Sequence, residues 1–289
     1  MLVFFTDTDT DFSLKEAEEY GCHLISMPYS VDDKEIYPYV DFKEFDYKSF
    51  YNMLRTGVIP KTSAISPVDY INYFEPHLKN GDDILYVHFS KAMSGTFNAM
   101  HIAIEELKEK YPDRTIYTID TKGITICSYN ICKEIGDLYK QGKPIEEILA
   151  WAEKEVDKFA IYFYADDLKF FARSGRVSNF SATMGSLLSI HPIIYIGEDG
   201  IMKNIGKSRG KVQTLNKILS YIEELGDDIE NHRIVIGHSD ALETAEMFAD
   251  MLKMKFGNNL NIEFVVVNPT AGSHCGPSSI GVCFHAIHR

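Results

Sequence analysis

Short runs of β-branched and aromatic residues alternate with longer runs of helical period along almost the whole chain. Few arrangements other than a sheet covered by helices accommodate that pattern. LVFFTD opens as a strand, SLKEAEEYG reads as a helix closed by Gly21, and HLISMPYSV reads as the next strand. DDILYVHFS and TIYTIDT follow as strands. Between them SGTFNAMHIAIEELKEKYP sets Phe97, Ile104, Leu107 and Tyr111 at helical spacing, which turns one face to the sheet. ITICSYNICKEIGDLYKQG and PIEEILAWAEKEVDKF read as two more helices, the second with Pro144 in its first turn and Glu146 and Glu147 at its positive end. A second set begins at FAIYFYA and runs through HPIIYI, a GEDG turn, IMKNI, HRIVIGHS, a helix from Asp240 to about Lys255, and NIEFVVVNP. The expectation is two α/β domains: 1–158 with a largely parallel sheet, and 159–289 with a mixed sheet.

A length of 289 residues lets both units bury a core, and 45% apolar with 25% charged residues is the balance of a packed protein. The net charge of −13 repels phosphate backbones, and no Lys/Arg stripe interleaves with aromatics, so nucleic acid is excluded as the expected partner. Five scattered cysteines without a CxxC pair argue against a disulfide framework and a zinc site, and suggest a reducing cytosol. The opening MLVFFTDTDTDF lacks a basic flank and turns acidic too early for a signal peptide. No apolar run approaches the ~20 residues of a membrane span. The location expected is therefore cytoplasmic, without integral membrane association.

Two catalytic patterns are incomplete. Asp7, Asp9 and Asp11 follow an apolar strand as DxDxD, the placement used by magnesium phosphohydrolases, with Asp7 and Asp9 as nucleophile and acid/base; that motif has Thr where this chain has Asp11. The same run as a calcium loop lacks the turn glycine, since Phe12 stands there. Gly206, Ser208 and Gly210 satisfy GxSxG, with Asp240 and His274 following in hydrolase order, but IMKNI reads as the returning arm of a hairpin and not as a strand entering a helix. As a phosphate loop, the stretch from Gly200 to Ser208 has one residue too many.

A third group of segments is rich in neutral donors. PKTSAISPVDY sets Thr62 and Ser63 in a loop ahead of Ser66, Pro67 and Asp69, which read as helix cap, first-turn proline and capping carboxylate. SKAMSGTFNAM sets Ser94, Gly95 and Thr96 where a strand gives way to a helix, an end that binds anions. AGSHCGPSSIGV offers His274 among small residues that allow close backbone approach.

Taken in order, these segments resemble the DegV family of bacterial fatty acid-binding proteins. The resemblance rests on Thr6, Asp7 and Thr8 after the first strand, on Pro60, Thr62, Ser63, Ser66 and Pro67, and on Ser90, Ser94, Gly95, Thr96 and Phe97. It continues through Leu168 with Ser174, Gly175 and Arg176, then Arg209, Gly210 and Lys211, and finally His274, Gly276 and Pro277. Departures are Cys275 where threonine is common, Ser278 where glycine is common, and Ser174 in place of a glycine. The resemblance implies a binding protein and not an enzyme, with no cofactor beyond one long-chain fatty acid, such as palmitate, held in a tunnel between the domains. It implies Thr62 and Ser94 as the principal carboxylate contacts, with Ser63 and His274 in the same network. It also implies presentation of the acid to a separate acyl kinase serving phospholipid synthesis. Ile65, Met93, Phe97, Met184, Leu187, Leu188 and Ile193 are the candidate tunnel residues, FSATMGSLLSIHPII a candidate lid, and Arg176 and Arg209 the candidate contacts with a kinase.

Overall fold

The computed structural model describes residues 1–178 and 190–289. β1 (Leu2–Asp7) alternates its side chains between two cores, Phe4 facing one and Phe5 the other. It ends in a 3-10 turn over Thr8–Thr10 capped by Asp7. α1 (Leu14–Tyr20) starts on a reciprocal capping box between Ser13 and Glu16 and stops at Gly21, whose φ of 62° closes it. β2 (His23–Ile25) pairs parallel with β1. HLISMPYSV is two strands and not one: Pro28, which cannot donate to a ladder, separates β2 from β3 (Tyr29–Val31). β3 lies between β4 (Lys34–Ile36) and β5 (Lys61–Thr62) in a small antiparallel sheet. α2 (Tyr47–Arg55) precedes β5, and α3 (Pro67–Lys79) follows it on the expected box of Ser66 and Asp69.

β6 (Asp83–His88) and β7 (Ile116–Asp120) complete a parallel four-stranded sheet in the order β2-β1-β6-β7. α4 (Thr96–Lys110) joins them and buries Phe97, Met100, Ala103 and Leu107; Ile104 and Tyr111 sit at the edge of that face and not at its centre. α5 (Ile126–Lys140) and α6 (Ile145–Glu155) follow, with Pro144 as the cap residue just outside the first turn.

The second sheet is mixed and seven-stranded. It takes β8 (Phe159–Tyr164), then β9 (Val177–Ser178) after α7 (Leu168–Ser174), then β10 (Ile190–Ile196) and β11 (Met202–Arg209), joined as an antiparallel hairpin through the GEDG turn. After α8 (Lys211–Leu225) come β12 (Ile234–His238), α9 (Leu242–Phe256), β13 (Ile262–Val266), α10 (Pro269–Cys275) and β14 (Ile280–His285). The strand order is β13-β12-β14-β8-β10-β11-β9. α8 and α9 cover one face through Leu215, Ile218, Phe248 and Leu252.

The other face shares a core with the parallel sheet. α5 supplies the filling, every residue from Ile126 to Cys132 being buried, and its apolar residues share one core with Phe4 and Val87 of the parallel sheet and with Ile161 and Val235 of the mixed sheet. Among the described residues no helix is long and apolar enough to cross a membrane.

Candidate functional site

Where the two sheets meet, the close packing opens into a cavity of about 200 Å³. That is more than tenfold the ~10–15 Å³ that admits one water, so it is a built space and not a packing fault. Its lining divides into a polar wall and an apolar wall.

The polar wall contains Thr62, Ser63, Ser94, Gly95, Arg176 and His274. Thr62 is placed by the pairing of β5 with Tyr29, and Ser94 by the link between a 3-10 turn over Lys91–Met93 and α4, where its Oγ accepts the Thr96 N–H at 3.2 Å. His274 comes from α10. That helix is fixed to the first half of the chain by three ties: Asp11 Oδ1 accepts both the Asn268 backbone N–H at 2.9 Å and its Nδ2 at 2.7 Å, Thr270 donates to the Met27 carbonyl at 2.8 Å, and Tyr51 donates to the Val267 carbonyl at 2.8 Å. Asn268 caps α10 with Pro269 in its first turn, so a run rich in small residues still forms a helix. The result is a hydrogen bond of 2.9 Å between Thr62 Oγ1 and His274 Nε2, across 212 positions of sequence. Burial first, and the Arg176 guanidinium second, push the His274 imidazole down to about 4. It is neutral at pH 7, one ring nitrogen donating and one accepting.

The apolar wall is formed by Ile124, Ile126, Ile161, Phe163, Phe171 and Met202, with Gly237 and Gly281 between them. Gly237 of β12 and Gly281 of β14 are direct cross-strand partners. A Cβ on Gly237 would stand 2.6 Å from Ile126 Cγ2, so the glycine pair is what lets α5 approach the sheet. A glycine inside each of the runs IVIGHS and SSIGV is the sequence signal for this wall, and it becomes informative once the two strands are known to pair.

Asp7, which ends β1, and Asp9 and Asp11, which follow it, are buried. Asp7 accepts the N–H groups of Asp9 at 3.0 Å and Phe89 at 3.2 Å and the Tyr86 hydroxyl at 3.1 Å, and it is not part of the cavity lining. Burial, against those hydrogen bonds, pushes its carboxyl up to about 7. Asp7 is thus a fixed structural anchor and is not placed as an exposed nucleophile. Among the described residues no group of three or more His, Cys, Asp or Glu side chains is placed to hold a metal ion. Ser208 lies within β11 opposite His191, and Asp240 holds Arg55 at 2.5 Å, so GxSxG forms neither an elbow nor a phosphate loop here.

Of the residues named from sequence, Thr62, Ser63, Ser94, His274, Met93 and Arg176 come together around this cavity. Ile65 and Phe97 do not: both are buried in the core under α3 and α4, on the side where α4 meets the parallel sheet. Ile193 faces α8 on the far side of the large sheet, because its neighbour Ile194 takes the near side. Arg209 is exposed at the end of β11, away from the lining. Met184, Leu187 and Leu188, and most of the candidate lid, lie outside the described residues. Ser90 is structural: its Oγ donates to the Gly200 carbonyl at 2.9 Å and ties the GEDG turn to the first half. Sequence reasoning missed Ile124, Ile126, Ile161, Phe163 and the two strand glycines.

The family described as uncharacterised proteins of the DegV family matches residues 2–286. A DegV domain-containing protein of Clostridium perfringens is 34% identical over 283 residues, which is 98% of this chain and 96% of that one. A DegV family protein of Thermus thermophilus, described for its fatty acid binding, superposes with a TM-score of 0.86 at 20% identity over 99% of both chains. A stearic acid-binding protein of Eubacterium ventriosum gives 0.85 at 21% identity over 98% of both. A DegV family protein of Eubacterium eligens loaded with heptadecanoic acid gives 0.83 at 22% over 99% of both. At these identities the likeness to the solved structures establishes the fold.

Proposed function

The chain belongs to the DegV family, and from that premise we propose that it binds one long-chain fatty acid, palmitate among the candidates, in the cavity between its two sheets. The carboxylate lies on Thr62 and Ser94, with Ser63 and His274 completing the network, and the acyl chain lies along Ile126, Phe163 and the paired strand glycines. The observation that carries this reading is the bond between Thr62 and His274 on one wall of a cavity whose other wall is apolar. A neutral imidazole and hydroxyls can donate to a carboxylate without clamping it as a bidentate guanidinium would. Affinity then comes from the chain: about ten buried methylenes at ~0.8 kcal/mol each contribute roughly 8 kcal/mol before the cost of association.

The same reading makes the protein a carrier and not an enzyme. It acts in the cytoplasm and offers the head group to a separate acyl kinase, with Arg176 and Arg209 as contacts for that partner, so phosphorylation belongs to the partner. Residues 1–158 and 159–289 are its two units, the first supplying the hydroxyls and the second covering the acyl chain. Organic extraction of the purified protein followed by mass spectrometry tests the proposal. A long-chain acid near one equivalent per chain is the expected result. A protein that is empty as purified and takes up no added palmitate would sink it.

A further inference from the structure

Among the described residues, the side chains of Asp7 and Asp11 in TDTDTDF have hydrogen-bond partners, and Oδ1 of the middle one, Asp9, has none. Asp7 holds the ends of β1 and β6 together, and Asp11 holds α10. Asp9 uses only its backbone, its N–H donating to Asp7 and its carbonyl accepting the Thr125 N–H at 2.7 Å. The Asp9 side chain is 5% exposed, it lines the cavity, and its Oδ1 has no hydrogen-bond partner among the described residues. Buried polar groups without partners are rare because they are costly, so a carboxyl kept in this state points to a partner from outside the chain.

Its chemistry narrows what that partner is. Burial, then the charges of Asp7 and Asp11, push the Asp9 carboxyl well above the usual carboxylate range, toward the uncharged acid, the form that can both donate and accept. Its main chain is tied to the apolar wall, the Asp9 carbonyl accepting the Thr125 N–H. The lining beside Asp9 is Thr125 flanked by Ile124 and Ile126, which belongs to the acyl side.

We infer that Asp9 is a specificity-determining residue that hydrogen-bonds an oxygen substituent carried on the acyl chain, so that the cavity selects a hydroxylated fatty acid over the unsubstituted acid of equal length. A hydroxyl matches a neutral carboxyl because each can donate and accept. An unsubstituted chain leaves the carboxyl unpaired against methylenes, and sites built around a ligand hydroxyl discriminate strongly against analogues that lack it. The inference rests on the proposed reading of this cavity as a fatty acid site.

The test uses the full chain stripped of lipid. Stearic acid and a series of positional isomers of hydroxystearic acid compete with a fluorescent fatty acid for the wild type, Asp9→Asn, Asp9→Ala and Asp9→Leu, with melting curves to verify folding. At least one isomer should bind the wild type about tenfold tighter than stearic acid. Asp9→Asn should keep most of that preference, and Asp9→Ala and Asp9→Leu should lose it without losing stearic acid affinity. The inference is overturned if stearic acid binds and no isomer is preferred, which would assign the partner to water. It is equally overturned if the preference survives in Asp9→Ala, or if Asp9→Ala loses stearic acid in parallel, which would place Asp9 on the carboxylate. Failure of every acid to bind would remove the fatty acid reading itself, a result distinct from all of these.

Discussion

The two walls of the cavity are made by opposite means. The apolar wall comes from strand interiors of a seven-stranded sheet and the buried start of α5, elements that share one core with the parallel sheet. The polar wall comes from a two-residue strand held by its pairing with β3, and from a link between a 3-10 turn and a helix and a seven-residue helix, both held by a few hydrogen bonds from side chain to backbone. Pieces like these open locally at little cost, whereas the shared core opens only with the fold. In the proposed reading the rigid wall supplies affinity through apolar area, and the adjustable wall fixes the position of one head group. Substitutions in the first should therefore cost stability and ligand together, and substitutions in the second should cost mainly ligand.

Gly281→Val tests the rigid wall most severely. A Cβ there would stand 3.0 Å from Phe163 Cβ and 3.3 Å from Ile126 Cδ1, so the valine methyls must displace one of them into the cavity. We expect a stability loss of about 1–3 kcal/mol by urea denaturation. Bound acid recovered by extraction should fall more than tenfold. Gly281→Ala should show the same two effects at reduced size. Full lipid retention in the valine variant would show that the acyl chain does not lie along this wall.

The polar wall should respond differently. Thr62→Ala and Ser94→Ala each remove one donor to the carboxylate, worth about 0.5–1.5 kcal/mol, or roughly three- to tenfold in affinity. Ligand-free melting should fall only modestly, since Thr62→Ala leaves His274 Nε2 without its partner and Ser94→Ala removes the acceptor of the Thr96 N–H. Ser66→Ala, a few residues from Thr62, supplies the contrast. Ser66 caps α3 and bonds Asp69, so its loss should cost about 1 kcal/mol of stability and leave lipid affinity intact. Equal effects from Thr62 and Ser66 on affinity would erase the distinction between the walls.

What the sequence disclosed follows the same line. Local features were legible: the Ser66 capping box, the helix closed by Gly21, and the GEDG hairpin that removes GxSxG from consideration, each set by residues close in sequence. Features that depend on distant pairing were not. Gly237 and Gly281 are unremarked glycines until β12 and β14 lie side by side, and α10 is hidden because GSHCG has poor helix formers and is held by Asp11 and Tyr51 from the other half. The tunnel candidates rest on the adaptability of their side chains. An apolar character shows that Ile65 and Phe97 are buried, but not which of several cores buries them. The run of aspartates reads in sequence as an incomplete phosphohydrolase or calcium motif, and only its contacts with the end of β6 and with the start of α10 show it as buried anchors.

That buried run supplies the smallest of these contrasts, read as a slope and not as a loss. Burial pushes Asp11 from 3.8 up to about 7 in the folded chain, opposed by the two bonds from Asn268. The folded state therefore holds a proton that the unfolded state gives up. The stability Asp11 contributes is complete below pH 3.8 and is lost as pH rises through about 7. His274 works in the other direction, since its folded value near 4 lies below its ordinary 6.5, and its contribution is present above pH 6.5 and lost as pH falls through 4. Asp7 adds to the Asp11 side, with a folded value also about 7. Between pH 5 and 7 each of these aspartates makes stability to urea fall with rising pH, by on the order of 1 kcal/mol per unit, while His274 and the other lowered histidines, His23, His88, His232 and His238, act in the opposite sense. Asp11→Asn isolates one aspartate from that balance. Both Asn268 donors meet a single oxygen, Oδ1, which an amide carbonyl can replace, so the variant should fold as well as the wild type near pH 7 and have a slope of stability against pH that is more positive than that of the wild type. An unchanged slope would mean that Asp11 is ionised beneath α10, and that the adjustable wall is anchored by a charge and not by a neutral acid.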